Sequence, residues 1–188
     1  MKWENLHKDM ILSPDGMGIV FYSEGAMKDV PEGEDFLKKE FWKPKDVTAH
    51  MKKGDIVGIC TECDAGDFDL RFRSGYPDND TMEKYPAHLQ FGIEVMGDAI
   101  HVIDLYWLMD WENSCPKEQQ VEVEPGFYHM TFCAAPPGRA VEKELTDEEY
   151  DAYMDKPRII YIFLNRLDAL PEYGYDGVPD LYWAYDVE

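Results

Sequence analysis

Two cysteines lie three positions apart in the segment Cys60-Thr61-Glu62-Cys63. A pair with this spacing can bind zinc or exchange electrons as a dithiol. Zinc needs a second pair of ligands, and Cys115, His129 and Cys133 provide none at the usual spacing. A redox pair favours the start of a helix, whereas the following Asp64-Ala65-Gly66-Asp67 predicts an acidic turn. We therefore expect both cysteines to be structural, and we keep a zinc or redox module that uses Cys60 and Cys63 as the third interpretation.

One short acidic segment resembles part of a calcium-binding site. Asp78-Asn79-Asp80 is similar to the start of a calcium-binding loop, but glycine is absent from the sixth position and no glutamate closes the loop. The five histidines are scattered, and Gly16-Met17-Gly18 lacks the preceding strand and the later glycine of a dinucleotide site. The sequence therefore predicts no catalytic residue, no metal and no cofactor.

Large aromatic residues stand beside carboxylates in two segments. The first is Tyr106-Trp107-Leu108-Met109-Asp110-Trp111-Glu112, and the second is Tyr173-Gly174-Tyr175-Asp176-Gly177. Tyrosine and tryptophan are common anchors of protein interfaces, and carboxylates around them speed docking on a basic protein. Trp107 and Leu108 are also consistent with a position in the core. The predicted contact residues for a protein partner are Asp110, Trp111, Glu112, Tyr173, Tyr175 and Asp176.

The net charge limits the range of partners. The chain has 39 acidic and 18 basic residues, a net charge of −21, and residues 55–188 carry 29 of the acids against nine bases. The first 54 residues are nearly neutral, with ten acids and nine bases. Such a surface repels nucleic acid and anionic membranes, and it accelerates encounter with a basic protein. Solubility alone does not require a net charge of this size.

Composition and hydropathy predict a folded, water-soluble protein. Apolar residues make up 45% of the chain and aromatic residues 14%, more than acidic disordered segments contain. The first nine residues carry charges where a signal peptide has an apolar run. No segment approaches the roughly 20 apolar residues of a membrane helix. We expect one domain over residues 1–188, located in the cytoplasm, and the sequence makes no prediction of its oligomeric state.

Residue periodicity predicts a fold dominated by β-strands. Gly97-Asp98 joins two of the predicted strands into a hairpin over 89–106, and the continuous apolar run 158–164 is typical of a central strand. A capping box at Thr146-Asp147-Glu148-Glu149 starts a helix that ends near Met154, and a second short helix is expected over about 35–42. The full set of predicted strands is 55–60, 67–73, 89–95, 99–106, 121–124, 127–133, 158–164 and 181–187.

These elements predict a mainly β (α+β) fold. Its form would be an antiparallel β-sandwich with two or so short peripheral helices. In this arrangement residues 1–54 form a near-neutral N-terminal segment with a short helix, and residues 55–188 form the acidic, β-rich core.

Three segments resemble a known family. They are Gly54-Asp55-Ile56-Val57-Gly58-Ile59-Cys60, Gly66-Asp67-Phe68-Asp69-Leu70-Arg71-Phe72-Arg73 and Val121-Glu122-Val123-Glu124-Pro125-Gly126-Phe127-Tyr128-His129-Met130. They are similar to the small acidic β-sandwich immunity proteins of bacterial polymorphic toxin systems, and in build to the competence-nuclease inhibitor. The resemblance covers about residues 54–135. It implies a cytoplasmic protein that blocks a cognate toxin by direct binding, without shared catalytic residues.

We therefore expect a non-enzymatic immunity or inhibitor protein. It would bind and neutralise a cognate, basic bacterial toxin, one that acts on nucleic acid, through an acidic surface that contains aromatic residues. The alternative is an enzyme or small-ligand binder with a carboxylate-lined pocket for a cationic or sugar-like molecule.

Overall fold

Two β-sheets organise the computed structural model, which describes residues 3–61 and 66–185. The strands are β1 (His7–Leu12), β2 (Gly18–Ser23), β3 (Ile56–Cys60), β4 (Phe68–Ser74), β5 (Ala87–Val95), β6 (Ala99–Asp104), β7 (Gln120–Glu122), β8 (Gly126–Ala134) and β9 (Arg158–Leu167). The α-helices are α1 (Glu24–Met27), α2 (Phe36–Glu40), α3 (Pro44–Lys53), α4 (Asn79–Lys84), α5 (Gly138–Val141) and α6 (Asp147–Met154). Short 3-10 helices span Trp3–Asn5, Leu105–Met109, Lys117–Gln119, Glu142–Glu144 and Trp183–Tyr185.

The sheets are open and mostly antiparallel. The five-stranded sheet has the order β1-β4-β9-β8-β5, and the four-stranded sheet has the order β3-β2-β6-β7. Among the described strand pairs, only β4 and β9 run parallel. β9 lies in the middle of its sheet, which confirms the central position that its apolar run predicts. The chain is thus an α+β protein in which β-strands dominate.

The core lies on the faces of the strands that carry alternating apolar residues. Phe68, Leu70 and Phe72 of β4 are completely buried, whereas the charged residues between them are partly exposed, as the alternation predicts. Phe21 of β2 joins the two sheets, because its ring centroid lies 6.4 Å from that of Phe72 and 5.5 Å from that of Phe132 on β8.

The hairpin predicted over 89–106 is wrong in its pairing. β5 and β6 are consecutive and are joined by the expected short turn, but β5 pairs with β8, while β6 pairs with β2 and β7. The chain therefore crosses from one sheet to the other at this turn. The turn residues alone do not distinguish the two cases, because a hairpin and a crossover between packed sheets both need a tight reversal.

The N-terminal 54 residues contribute more structure than the sequence predicts. β2 lies in the interior of the four-stranded sheet with all six of its residues buried, so it lacks the alternation that marks a half-exposed strand. Helix α3 is also not predicted from the sequence, although it has two common helix signals. Pro44 begins it, and Gly54, with a φ of 67°, ends it. The predicted helices near 35–42 and 146–154 are α2 and α6, and α6 has the expected capping box at Thr146.

The prediction of two or so helices is therefore too low, since the described residues form six α-helices. Of the four extra helices, α1 and α5 have four residues and α4 has six, and helices this short carry no clear apolar periodicity. None of the helices in 3–61 and 66–185 is long and apolar enough to cross a membrane.

The edge strand predicted at 181–187 is wrong over the part of it that the structure describes, 181–185. The N–H of Leu181 donates to the carbonyl of Cys60 at 3.1 Å, and Asp180 forms a single bridge with Cys60. The chain then turns into the 3-10 helix Trp183–Tyr185. Leu181 and Tyr182 are buried beside the end of β3 without joining a sheet, whereas Trp183 is 61% exposed.

Candidate functional site

A short 3-10 helix, Leu105–Met109, follows β6 and presents three large side chains to solvent. Tyr106 is 48% exposed, Trp107 is 38% exposed and Met109 is 51% exposed. Leu108 between them is completely buried and holds the helix against the core. Isolated apolar residues are ordinary on a protein surface, but three that lie together on one short element are typical of a contact site.

Carboxylates surround this helix. Asp110 and Glu112 follow it directly, and both are exposed. The loop before α2 adds Glu32, whose Oε1 accepts a hydrogen bond from the N–H of Asn113 at 3.4 Å. We refer to the exposed side chains of this region as the acidic-aromatic ridge, which consists of Glu32, Tyr106, Trp107, Met109, Asp110 and Glu112.

Two backbone hydrogen bonds hold the loop before α2 beside the ridge. The N–H of Gly33 donates to the carbonyl of Trp111 at 2.8 Å, and the N–H of Trp111 donates to the carbonyl of Glu34 at 3.0 Å. Gly33 has a φ of 77°, which favours glycine at this turn. This pairing of two distant segments brings Glu32 next to the carboxylates of the 110–112 segment.

Helix α2, which packs against the 3-10 helix of the ridge, carries two lysines, Lys38 and Lys39. Glu34, which lies beside the ridge, pairs with Lys39 at 2.9 Å, and this contact raises the pKa of Lys39. Within residues 3–61 and 66–185, Glu32, Asp110 and Glu112 form no ion pair. Their negative charge is therefore available to a partner, screened only by solvent and salt.

The structure divides the first predicted segment between core and surface. Asp110 and Glu112 are exposed, but Trp111 is 1% exposed, and its ring lies 5.4 Å from that of Tyr22. Trp111 lies beyond the end of the 3-10 helix, where its backbone pairs with Gly33 and Glu34 of the loop before α2. Within the helix, residues three apart share a face, and Tyr106 and Met109 share the exposed one. The predicted list missed both.

The second predicted segment lies against a different element. Tyr173 is 7% exposed, and its hydroxyl donates to the carbonyl of Gly177. Asp176 accepts a hydrogen bond from the hydroxyl of Thr48 on α3 at 3.2 Å, and Tyr175 is 37% exposed. The structure therefore places this segment beside α3, whereas the ridge packs beside α2.

The thiols in the described residues are poor nucleophiles. Burial raises the pKa of Cys60, with a further contribution from the carboxylate of Asp180. Burial also raises the pKa of Cys115 and of Cys133 to about 11 in each case. Cys63, the other half of the predicted pair, lies outside the described residues. In the part of the chain that is described, no group of three or more histidine, cysteine or acidic side chains could hold a metal ion.

A cleft with two carboxylates is present beside β1. It has a volume of about 350 Å³, and Glu118 and Glu122 line it together with Lys8 and Lys117. The two ammonium groups balance the two carboxylates, so this cleft does not match the acidic pocket expected for a cationic substrate.

Comparisons with known proteins give similarity at the level of structure. No protein-family model matches the sequence, and no curated protein matches it. One similar solved structure is ComJ from Bacillus subtilis, an inhibitor of the DNA-degrading activity of NucA; identity is 12%, the TM-score is 0.49, and the match covers 85% of this chain and 96% of ComJ. Another is described as crocagin biosynthetic gene J. Its identity to this chain is 16%, the TM-score is 0.47, and the match covers 84% of this chain and 96% of that protein. At identities this low, function has to be argued from the residues of the chain itself.

Proposed function

We propose that this chain is a non-enzymatic inhibitor, or immunity protein, that neutralises a basic protein toxin by binding it through the acidic-aromatic ridge. The observation that carries the proposal is the exposure of Tyr106, Trp107 and Met109 directly beside Asp110 and Glu112. Aromatic side chains anchor protein interfaces, and carboxylates around them select a cationic partner.

The charge of the chain supports a basic partner. With a net charge of −21, the protein attracts a cationic protein over distances of about a Debye length, roughly 8–10 Å at physiological salt. The same charge repels nucleic acid, so we propose that a toxin that acts on nucleic acid is blocked by occlusion of its basic surface.

The fold supplies a scaffold for the ridge. In this proposal the two sheets form a β-sandwich, since Phe21 contacts rings from the facing sheet, and the ridge begins where β6 ends. Because the ridge backbone is tied to the loop before α2, little ordering is needed when a partner binds, and pre-organised surfaces bind more tightly. Tyr175 and Asp176 are also exposed and stay predicted contacts of a second part of the surface.

Growth protection tests the proposal. We expect a gene beside that of the chain to encode a basic protein that arrests growth when produced alone. Co-production of the wild-type chain should restore growth, and the variant with Tyr106→Ala and Trp107→Ala should not. Tyr76→Ala is the matched control, because Tyr76 is 50% exposed and lies outside the ridge. A basic neighbour whose toxicity the wild-type chain leaves unchanged contradicts the proposal, as does full protection by the double variant.

A further inference from the structure

A cleft of about 330 Å³ opens on the outer face of the five-stranded sheet. Its floor comes from residues of β5 and β8 that alternate with buried core residues such as Phe91 and Phe132. None of the lining residues belongs to the acidic-aromatic ridge. The lining residues are Tyr76, Pro77, Met82, His88, Leu89, Gln90, Thr131, Cys133 and Tyr175.

Two tyrosine rings from distant parts of the chain form walls of the cleft. The hydroxyl of Tyr76 lies 3.1 Å from Nδ1 of His129, and the two rings meet edge to face at 5.8 Å. The ring of Tyr175 lies 5.5 Å from that of Tyr173, which is itself buried. Both walls are therefore held in place before any ligand enters, and a fixed aromatic face favours a flat ligand.

The floor of the cleft carries a hydrogen-bond acceptor on Gln90 beside a hydrogen-bond donor on Thr131. Gln90 on β5 pairs in register with Thr131 on β8, and Nε2 of Gln90 donates to Oγ1 of Thr131 at 2.8 Å. This bond leaves the carbonyl oxygen of the Gln90 amide free to accept and the hydroxyl proton of Thr131 free to donate. A heterocycle with a donor and an acceptor on one edge matches this pair.

The cleft differs from the rest of the surface in charge. Among the residues that the structure describes, no aspartate, glutamate, lysine or arginine lines it, although the chain has 39 acidic residues. The thiol of Cys133 is also uncharged at neutral pH, because burial raises its pKa to about 11. Since the described lining contains neither lysine nor arginine and the chain is strongly negative, a phosphate group would be repelled.

We propose that this cleft binds an uncharged planar heterocycle of nucleobase size, as the free base or nucleoside. The ring would lie against Tyr76 and Tyr175, and its polar edge would bind Gln90 and Thr131. Clefts of this volume commonly hold small ligands, and aromatic side chains bind nucleobases through their faces. The cleft shares no residue with the ridge, and Tyr175 is its one lining residue that is also a predicted contact of the toxin, so Gln90 and Thr131 test the cleft separately from the inhibitor function.

Calorimetric titration with adenosine, guanosine, cytidine and uridine tests the proposal. We expect at least one nucleoside to bind the wild-type chain with a Kd below about 1 mM. Gln90→Leu should weaken that binding by on the order of tenfold, since it removes one hydrogen bond. Tyr175→Ala should also weaken it, and Thr131→Val provides a second, nearly isosteric test of the floor. The 5′-monophosphate of the same nucleoside should bind less tightly than the nucleoside.

The matched control is Tyr106→Ala on the ridge, which should leave nucleoside binding unchanged. Thermal unfolding of each variant separates loss of the site from loss of the fold. The proposal is overturned if no nucleoside saturates the wild-type chain, or if folded Gln90→Leu and Tyr175→Ala variants bind as the wild type does. Binding of indole without binding of any nucleoside also overturns it, because the cleft would then accept an aromatic side chain of a protein.

Discussion

The carboxylate of Asp104 lies 3.1 Å from the backbone nitrogen of Gly16 and ties the turn between β1 and β2 to the start of the ridge. Asp104 also accepts a hydrogen bond from the N–H of Asp15 at 3.0 Å, and it is 6% exposed. Burial raises the pKa of Asp104, while hydrogen bonds from the N–H groups of Tyr106, Asp15 and Gly16 act in the opposite direction. One buried carboxylate thus fixes both the turn and the first exposed ring of the ridge.

Gly16→Ala should destabilise the protein, because no space exists for a side chain. A Cβ at this position would lie 2.7 Å from Oδ1 of Asp104 and 3.1 Å from Cδ1 of Tyr106. We expect the free energy of unfolding to fall by about 1–3 kcal/mol, measured by urea denaturation. Gly97→Ala is the matched control, since a Cβ there meets nothing within 4 Å. Equal effects of the two substitutions would contradict the tight contact.

The substitutions Trp111→Ala and Trp107→Ala should lower the free energy of unfolding by different amounts. Trp111→Ala empties a fully buried position, so the free energy of unfolding should fall by about 3–5 kcal/mol. Trp107→Ala should cost at most about 1 kcal/mol, because the side chain is 38% exposed, while it weakens binding of the basic partner more than tenfold. Chemical denaturation and binding titration give the two quantities. The reverse order of stability losses would place Trp107, not Trp111, in the core.

His101 should make stability depend on pH. Burial lowers the pKa of His101, while Glu24 and Asp98 oppose the shift, and its ring lies 5.1 Å from that of Tyr22. Because the folded pKa is below the unfolded value, the unfolded chain takes up the proton first as the pH falls through about 6.5. The stabilising contribution of neutral His101 is therefore present above that pH and is lost as the pH falls toward the folded pKa.

The comparison uses His101→Gln, which cannot titrate in this range. Between about pH 7.5 and pH 5.5, the free energy of unfolding of the wild type should fall relative to that of the variant. Only the change with pH is compared, since the substitution also removes the contact with Tyr22. Parallel pH profiles for the two proteins would show that His101 has the same pKa in the folded and unfolded chains.

The sequence predicts the elements whose signal lies within a few consecutive residues. β4 was predicted because burial of one face leaves a two-residue alternation, and α6 because its capping box is contiguous in sequence. β2 was missed because it is buried on both faces and carries no alternation. The partners of β5 and β6 depend on packing between sheets, which a turn between two strands does not encode.

In the ridge, too, residues placed by their sequence neighbours could be predicted, and residues placed by contacts between distant segments could not. Asp110 and Glu112 were predicted from their place beside aromatic residues, and they are exposed. Glu32 was missed, because its position beside them follows from hydrogen bonds between segments that are far apart in the chain. The inward position of Trp111 depends on its backbone hydrogen bonds to Gly33 and Glu34, which lie far from it in the chain.

In the proposed function, the carboxylates of the ridge guide a basic partner to the protein. The direct test measures the association rate with that partner, at several salt concentrations, for the wild type and for the variant with Asp110→Asn and Glu112→Gln. A charge-matched control carries Asp147→Asn and Glu148→Gln, which lie on the exposed helix α6.

The ridge variant should associate more slowly than the control variant at low salt, and the difference should shrink as salt rises. Its dissociation rate should change less than its association rate, because exposed charges act mainly on encounter. Equal association rates for the two variants, or a wild-type rate that does not depend on salt, would contradict the account.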